Sequence, residues 1–261
     1  MTSLLHYKSY SATTTNKQIP PLLILHGLLG SMDNWRTQAK RLSQSRTIMT
    51  IDLRNHGHSP HINGMSYKQM ALDIIAIIKH ENLPPIDLMG HSMGGKVAMW
   101  LALHYPALIT KLIIVDIAPK TYPLWHQKVL TAMLKAPLAQ FQTRKQIDQY
   151  LSLSIKDNAE RIFLAKNLQR LEKGGYEWRC NLDEIVTSYL KIAAFPVADL
   201  VFSNPALFIR GENSSYIQPD DHSLIKSLFT HSQIQTIANS AHLPHIEQPD
   251  KFYQHVKNFL T

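Results

Sequence analysis

The sequence predicts an α/β fold: a mostly parallel central sheet with helices on both faces and an inserted helical cap. Three observations predict it. Short, almost wholly apolar runs alternate with stretches of helical periodicity, the pattern left by strands buried on both faces. That alternation stops near residue 119 and resumes near residue 205. The chain has 261 residues, 44% hydrophobic and 18% charged, enough for one packed domain with an insertion and too apolar for a disordered chain.

In chain order, residues 22–26, 47–52, 86–90 and 111–116 read as strands, since they are short, apolar and mostly bounded by Gly, Pro, Asp or Asn. Helical patterns lie between them near 33–43, 66–80 and 93–104. From 119 to 204 the pattern is helical over 123–135, 143–152, 157–172 and 182–194, with interruptions at Gly174-Gly175 and at 176–179. No strand pattern joins this block to the sheet. Strands at 206–210 and 233–237 and helices near 219–228 and 249–259 complete the chain, the last opening on Pro249 and Asp250, a helix-start signature. The expected division is a core of residues 1–118 and 205–261 and a helical cap of residues 119–204. Ligands of open α/β sheets bind beyond the carboxyl ends of the strands, which is the edge such a cap covers.

Composition narrows the partners. Cys180 is the single cysteine, which excludes an intrachain disulfide framework. The first 18 residues lack the basic-then-apolar pattern of a signal peptide, and no apolar run approaches the ~18 residues of a membrane span. The expectation is a soluble cytoplasmic protein, a monomer or weak homo-oligomer. The net charge of +8 is spread without a Lys/Arg block, so a basic solvated surface is expected and no nucleic-acid site. Residues 119–204 hold 12 basic and 8 acidic side chains, a mild attraction for anionic acyl substrates. With no His-Glu-x-x-His and no cysteine pair, no metal and no cofactor is expected.

Chemistry concentrates at Gly90-His91-Ser92-Met93-Gly94, which matches G-x-S-x-G between the strand 86–90 and the helix 93–104. A strand–turn–helix of this kind lifts its serine onto a sharp turn, and the glycines keep neighbouring side chains out of it. The plainer reading is a serine that caps a helix. The stretch from Gly90 to Lys96 also fits the phosphate-cradling G-x-x-x-x-G-K, with 112–116 as its metal-binding strand. Val97 then stands where that loop needs a hydroxyl for magnesium, which argues against nucleotide binding.

A serine hydroxyl is a weak nucleophile until a base takes its proton, and histidine titrates in the right range. Of 14 histidines, position selects His242, in the loop between the last strand and the last helix, at the edge where Ser92 lies. His245 is its rival. Two carboxylates compete to orient the base: Asp116 at the end of 111–116, and Glu212 after 206–210. Both fit the chain order serine, acid, histidine.

Five segments together resemble the α/β-hydrolases, most of all the YbfF-type carboxylesterases of bacteria. They are His26-Gly27-Leu28-Leu29-Gly30-Ser31, residues 52–59, residues 90–96, Val115-Asp116-Ile117-Ala118-Pro119, and His242 with Glu247-Gln248-Pro249. The insertion matches weakly apart from Glu177-Trp178-Arg179. Most α/β-hydrolases carry an Asp three residues after the glycine that follows the penultimate strand. Here that position is Ser214, as in the YbfF type, whose Asp follows the earlier strand. The resemblance therefore favours Asp116 over Glu212. By position it also implies an oxyanion hole from the backbone N–H groups of Leu28 and Met93, and it leaves 54–59 to loop structure.

The implied function is a serine hydrolase cleaving esters or thioesters of small to medium acyl groups through Ser92, His242 and Asp116. The alternatives are a non-hydrolytic lyase resembling the menaquinone-pathway synthases, or a ligand-binding protein that kept the fold. Tyr122, Trp125, Phe141, Phe163, Tyr176 and Trp178 either line an acyl pocket or form the core of the cap.

Overall fold

A computed structural model describes residues 4–12, 19–196 and 199–261. Residues 1–3, 13–18 and 197–198 lie outside it, and with them parts of the N-terminal stretch read for targeting and of the 119–204 insertion.

Along the chain, β1 (Tyr7–Tyr10), β2 (Leu22–Leu25) and a 3-10 turn at Met32–Trp35 lead into α1 (Arg36–Leu42). Then come β3 (Ile48–Ile51), α2 (Tyr67–His80), β4 (Ile86–His91), α3 (Met93–His104) and β5 (Ile109–Val115). The next stretch holds α4 (Gln127–Leu134), α5 (Arg144–Ser152), α6 (Asn158–Ala165), β6 (Leu168–Arg170), β7 (Tyr176–Trp178), α7 (Leu182–Thr187) and α8 (Tyr189–Ala193). The chain closes with β8 (Ala206–Gly211), α9 (Asp221–Leu228), β9 (Ser232–Ile237), α10 (Pro244–Glu247) and α11 (Pro249–Leu260). Seven strands form one sheet in the order β1-β3-β2-β4-β5-β8-β9, parallel except for β1.

Side chains two apart share a face of a strand, and here they sort into two layers. Leu22, Ile24, Met89, Ile113 and Val115 pack under α1 and α11. Leu23, Leu25, Leu88, Leu112 and Ile114 pack under α2 and α3. On α11, Phe252, Val256 and Leu260 recur every four residues and form the buried stripe; burying each contributes about 1.5–3 kcal/mol. The start of α2 is fixed by a capping box, in which Ser66 Oγ accepts from Gln69 N–H and the Gln69 side chain accepts from Ser66 N–H. Among the described residues no helix is long and apolar enough to cross a membrane.

One sequence expectation needs correction, and one strand is new. The helix expected over 157–172 ends at Ala165. Leu168–Arg170 instead pairs antiparallel with Tyr176–Trp178. Gly174 and Gly175 take φ of +88° and +81°, which closes this hairpin. Trp178 Nε1–H donates to Met133 C=O at 3.0 Å, so tertiary contacts outweigh the helical periodicity. The edge strand β1 was not expected: its Tyr-Lys-Ser-Tyr is half exposed and carries no apolar run to mark it.

Candidate active site

β4 ends at His91 and α3 begins at Met93, which leaves Ser92 to make the turn alone, at φ +52° and ψ −117°. Such a conformation costs a non-glycine residue of order 1–3 kcal/mol, so the surroundings must hold it. Ser92 N–H donates to Val115 C=O at 3.1 Å, and Ser92 C=O accepts from Lys96 N–H at 3.0 Å. The flanking glycines are demanded by space. A Cβ on Gly90 would stand 2.2 Å from Gly94 O, and one on Gly94 would stand 2.5 Å from His26 O. Since those neighbours are backbone atoms, Gly90→Ala is expected to cost about 3 kcal/mol or more. A lowered urea midpoint checks this; an unchanged midpoint contradicts it.

Asp116 turns out of β5 with φ +52°, and its carboxylate is fully buried. Oδ1 accepts from Gly211 N–H at 3.0 Å. Oδ2 accepts from His242 Nδ1–H at 2.8 Å and from the Ser214 hydroxyl. With Nδ1 donating, Nε2 of a neutral His242 is an acceptor, and it lies 3.1 Å from Ser92 Oγ. The structure thus brings Ser92, His242 and Asp116 into one hydrogen-bonded chain from three strand ends.

His242 is held on every side. The Tyr216 ring stacks on it at 3.7 Å between centroids and 15° between planes. His91 Nε2–H donates to the His242 backbone carbonyl at 2.8 Å. The Glu247 carboxylate accepts from the amides on either side, Ala241 and Leu243.

The rivals stand elsewhere. His245 stacks on Trp35 at 4.2 Å and has no hydrogen bond to Ser92 among the described residues. Glu212 accepts from Asn239 N–H at 3.0 Å, away from the imidazole.

The turn at Gly27-Leu28-Leu29 is shaped by two buried histidines. Gly30 N–H closes it onto Gly27 C=O at 3.0 Å. His26 Nδ1–H donates to Gly27 C=O at 2.8 Å, and His56 Nε2 accepts from Leu29 N–H at 3.1 Å. Leu28 N–H is left without a partner among the described residues. Met93 N–H opens α3 and has no intrahelical acceptor. Asp52, Arg54 and His56 belong to this scaffold: Asp52 accepts from Met32 N–H at 2.7 Å, and Arg54 Nε–H donates to Asp73 at 2.6 Å.

Burial keeps several of these histidines neutral. It pushes His56 and His245 down to about 3 from the ordinary 6.5, and it lowers His26 and His91 as well. A group depressed in the folded state stabilises fully above its unfolded pKa and loses that stability as pH falls toward its folded one. At pH 5 the loss is roughly 2 kcal/mol for each of His56 and His245. The urea midpoint is therefore expected to fall steadily from pH 7 to pH 5; a flat profile contradicts neutral burial.

Two chambers flank Ser92. The smaller, about 40 Å³, is bordered by Leu28, Met93, Lys96, Tyr122, Trp125 and Tyr216. The larger, about 360 Å³, is bordered by His242, Val129, Phe163 and Leu164, with Asp157, Glu160 and Glu247 as its carboxylates. Leu28, Ser92 and His126 border both. Burial above all, and then nearby His242, pushes His126 down to about 4.

The six aromatics of the insertion divide. Tyr122, Trp125 and Phe163 line chambers, while Phe141 packs on Tyr150 and Tyr176 and Trp178 form the hairpin. Sequence reasoning missed Tyr216, Lys96 and His126. Lys96 had a signal, standing four residues after Ser92 on one helix face. Ser214 lacks the carboxylate usual at its position, and its hydroxyl donates to the Asp116 carboxylate instead.

A family model for the alpha/beta hydrolase fold matches residues 20–249. The chain is 40% identical to the sn-1-specific diacylglycerol lipase ABHD11 of Mus musculus, over 97% of this chain and 85% of that protein. It is 30% identical to Esterase YbfF of Escherichia coli, over 92% of this chain and 93% of that protein. A solved marine microorganism esterase superposes with a TM-score of 0.94 at 38% identity, covering 99% of this chain and all of that one.

Proposed function

The chain belongs to the alpha/beta hydrolase fold family, and from that premise we propose that it hydrolyses carboxylic esters through an acyl-enzyme on Ser92. The supporting observation is the hydrogen-bonded chain from Ser92 Oγ through His242 to the Asp116 carboxylate. Residues 119–204 act as a cap on a core of 1–118 and 205–261.

The geometry supports the following steps. Ser92 Oγ attacks the ester carbonyl while its proton passes to His242 Nε2. Asp116, oriented by Gly211 N–H and Ser214, holds the imidazole by Nδ1–H and stabilises the imidazolium. Leu28 N–H and Met93 N–H receive the oxyanion, each such donor supplying about 10²–10³ in rate. His242 gives its proton to the leaving oxygen, the carbon–oxygen bond breaks, and a water activated by the same imidazole frees the acid. A thioester passes through the same steps with sulfur leaving.

The two chambers support an arrangement of the two halves of the substrate. His242 must reach the leaving group and borders the larger chamber alone, whereas Met93 borders the smaller one alone and Leu28 stands between the two. The acyl group therefore enters the smaller chamber. A water occupies about 10–15 Å³ on this measure, so the acyl group is short. Rates across straight-chain acyl esters of one alcohol test this: kcat/KM is expected to peak at two to four acyl carbons. A peak at eight or more contradicts the assignment.

A further inference from the structure

Lys96 is 2% exposed and forms no ion pair among the described residues. Its Nζ donates to Ala193 C=O at 2.8 Å and to Ala194 C=O at 3.1 Å. The faces of Tyr122 and Tyr67 stand 4.8 and 5.9 Å away. An ammonium has three donors. Two reach carbonyls, the third has no protein acceptor among the described residues, and the side chain borders the smaller chamber.

A cation buried without a counter-charge is costly, and an apolar side chain of equal volume would fill the space without that penalty. Burial accordingly lowers its ammonium to about 7. The larger chamber has the opposite character, with Asp157, Glu160 and Glu247 and no Lys or Arg among its lining residues. An anionic group is thus repelled from the leaving-group side and met by a cation on the acyl side.

Building on the ester-hydrolase reading, we propose that the smaller chamber takes a short acyl group ending in a carboxylate, which Lys96 binds. The substrate class is then the half-ester or half-thioester of a short dicarboxylic acid, of malonyl or succinyl size. About 40 Å³ holds a carboxylate on one or two methylenes. The carboxylate takes no part in the bonds made and broken; it fixes the ester carbonyl against Ser92, and its charge supplies the partner that Lys96 lacks.

The test compares monobutyl succinate with its neutral isostere butyl succinamate, with butyl butyrate as a reference, on the full chain at pH 7. For the wild type, kcat/KM for the succinate half-ester is expected to exceed that for the succinamate at least tenfold. In Lys96→Met that ratio is expected to fall at least tenfold, whatever the variant's own rate on butyl butyrate. Equal rates on the two isosteres in the wild type overturn the proposal, as does a ratio that survives in Lys96→Met. If that variant does not fold, inhibition of the wild type decides. Succinate is expected to compete with butyl butyrate at least tenfold better than succinamide does, and equal inhibition overturns the proposal. Hydrolysis of butyl butyrate that depends on Ser92 but shows no carboxylate preference removes this proposal alone. Absence of any turnover that depends on Ser92 removes the hydrolase reading as well.

Discussion

Ser92→Ala is expected to lower kcat on an activated short acyl ester by on the order of 10⁵ or more, the scale seen when a triad nucleophile is removed. The loss is that large because His242 and Asp116 act only through the serine: without Oγ the imidazole has no proton to take and no acyl-enzyme forms. What remains is the activity of the oxyanion donors and the bound geometry alone. The substitution removes one oxygen from a side chain that is 7% exposed, so thermal unfolding should shift little. Parallel measurement of the melting curve separates lost chemistry from lost fold. Turnover within tenfold of the wild type contradicts the assignment of Ser92.

Asp116→Asn is expected to cost about 10⁴ in kcat, while Glu212→Gln changes kcat less than threefold. The amide keeps the volume of the carboxylate but removes its charge. It has only one oxygen to accept from Gly211 N–H, the Ser214 hydroxyl and His242 Nδ1–H together. If the amide nitrogen faces His242, the imidazole is driven to the tautomer with its proton on Nε2, which cannot take one from Ser92. Glu212 touches the backbone of Asn239 and not the imidazole. A large loss confined to Glu212→Gln would reverse the two roles. Glu212 belongs to the exposed turn after β8, so its replacement should leave the melting temperature within a few degrees.

Much of this was legible in the sequence, for reasons particular residues make plain. The parallel strands were visible because β2, β3 and β4 are buried at every position, which leaves largely apolar runs. The elbow was visible because backbone crowding at Gly90 and Gly94 leaves no room for any other residue, so the spacing itself carries the information. His242 could be selected by its place in the chain, since loops after parallel strands all emerge at one edge. The choice between Asp116 and Glu212 needed a resemblance, because both sit at strand ends and only the fold measures which one reaches Nδ1.

What stayed hidden depends on contacts between distant segments. The β6–β7 hairpin is three residues long on each side and is stabilised by packing against the α4 region, which a local periodicity does not register. Tyr216 stacks on His242 across the gap between two loops, and no spacing rule anticipates that. Lys96 reads in the sequence only as the lysine of a phosphate-loop pattern that Val97 argues against. Its burial beside Ser92, with carbonyl partners and no carboxylate among the described residues, depends on the fold.

The most direct measurement of the central claim is the mass of the protein after exposure to an alkyl fluorophosphonate, followed by peptide mapping. Ser92 attacks phosphorus as it would an acyl carbon and displaces fluoride, so the adduct reports nucleophile, base and oxyanion donors together. One phosphonyl group per chain is expected, on the peptide containing Ser92, absent in Ser92→Ala and formed at least 100-fold more slowly in His242→Ala. No adduct in the folded wild type, or an adduct on another residue that persists in Ser92→Ala, would contradict that claim.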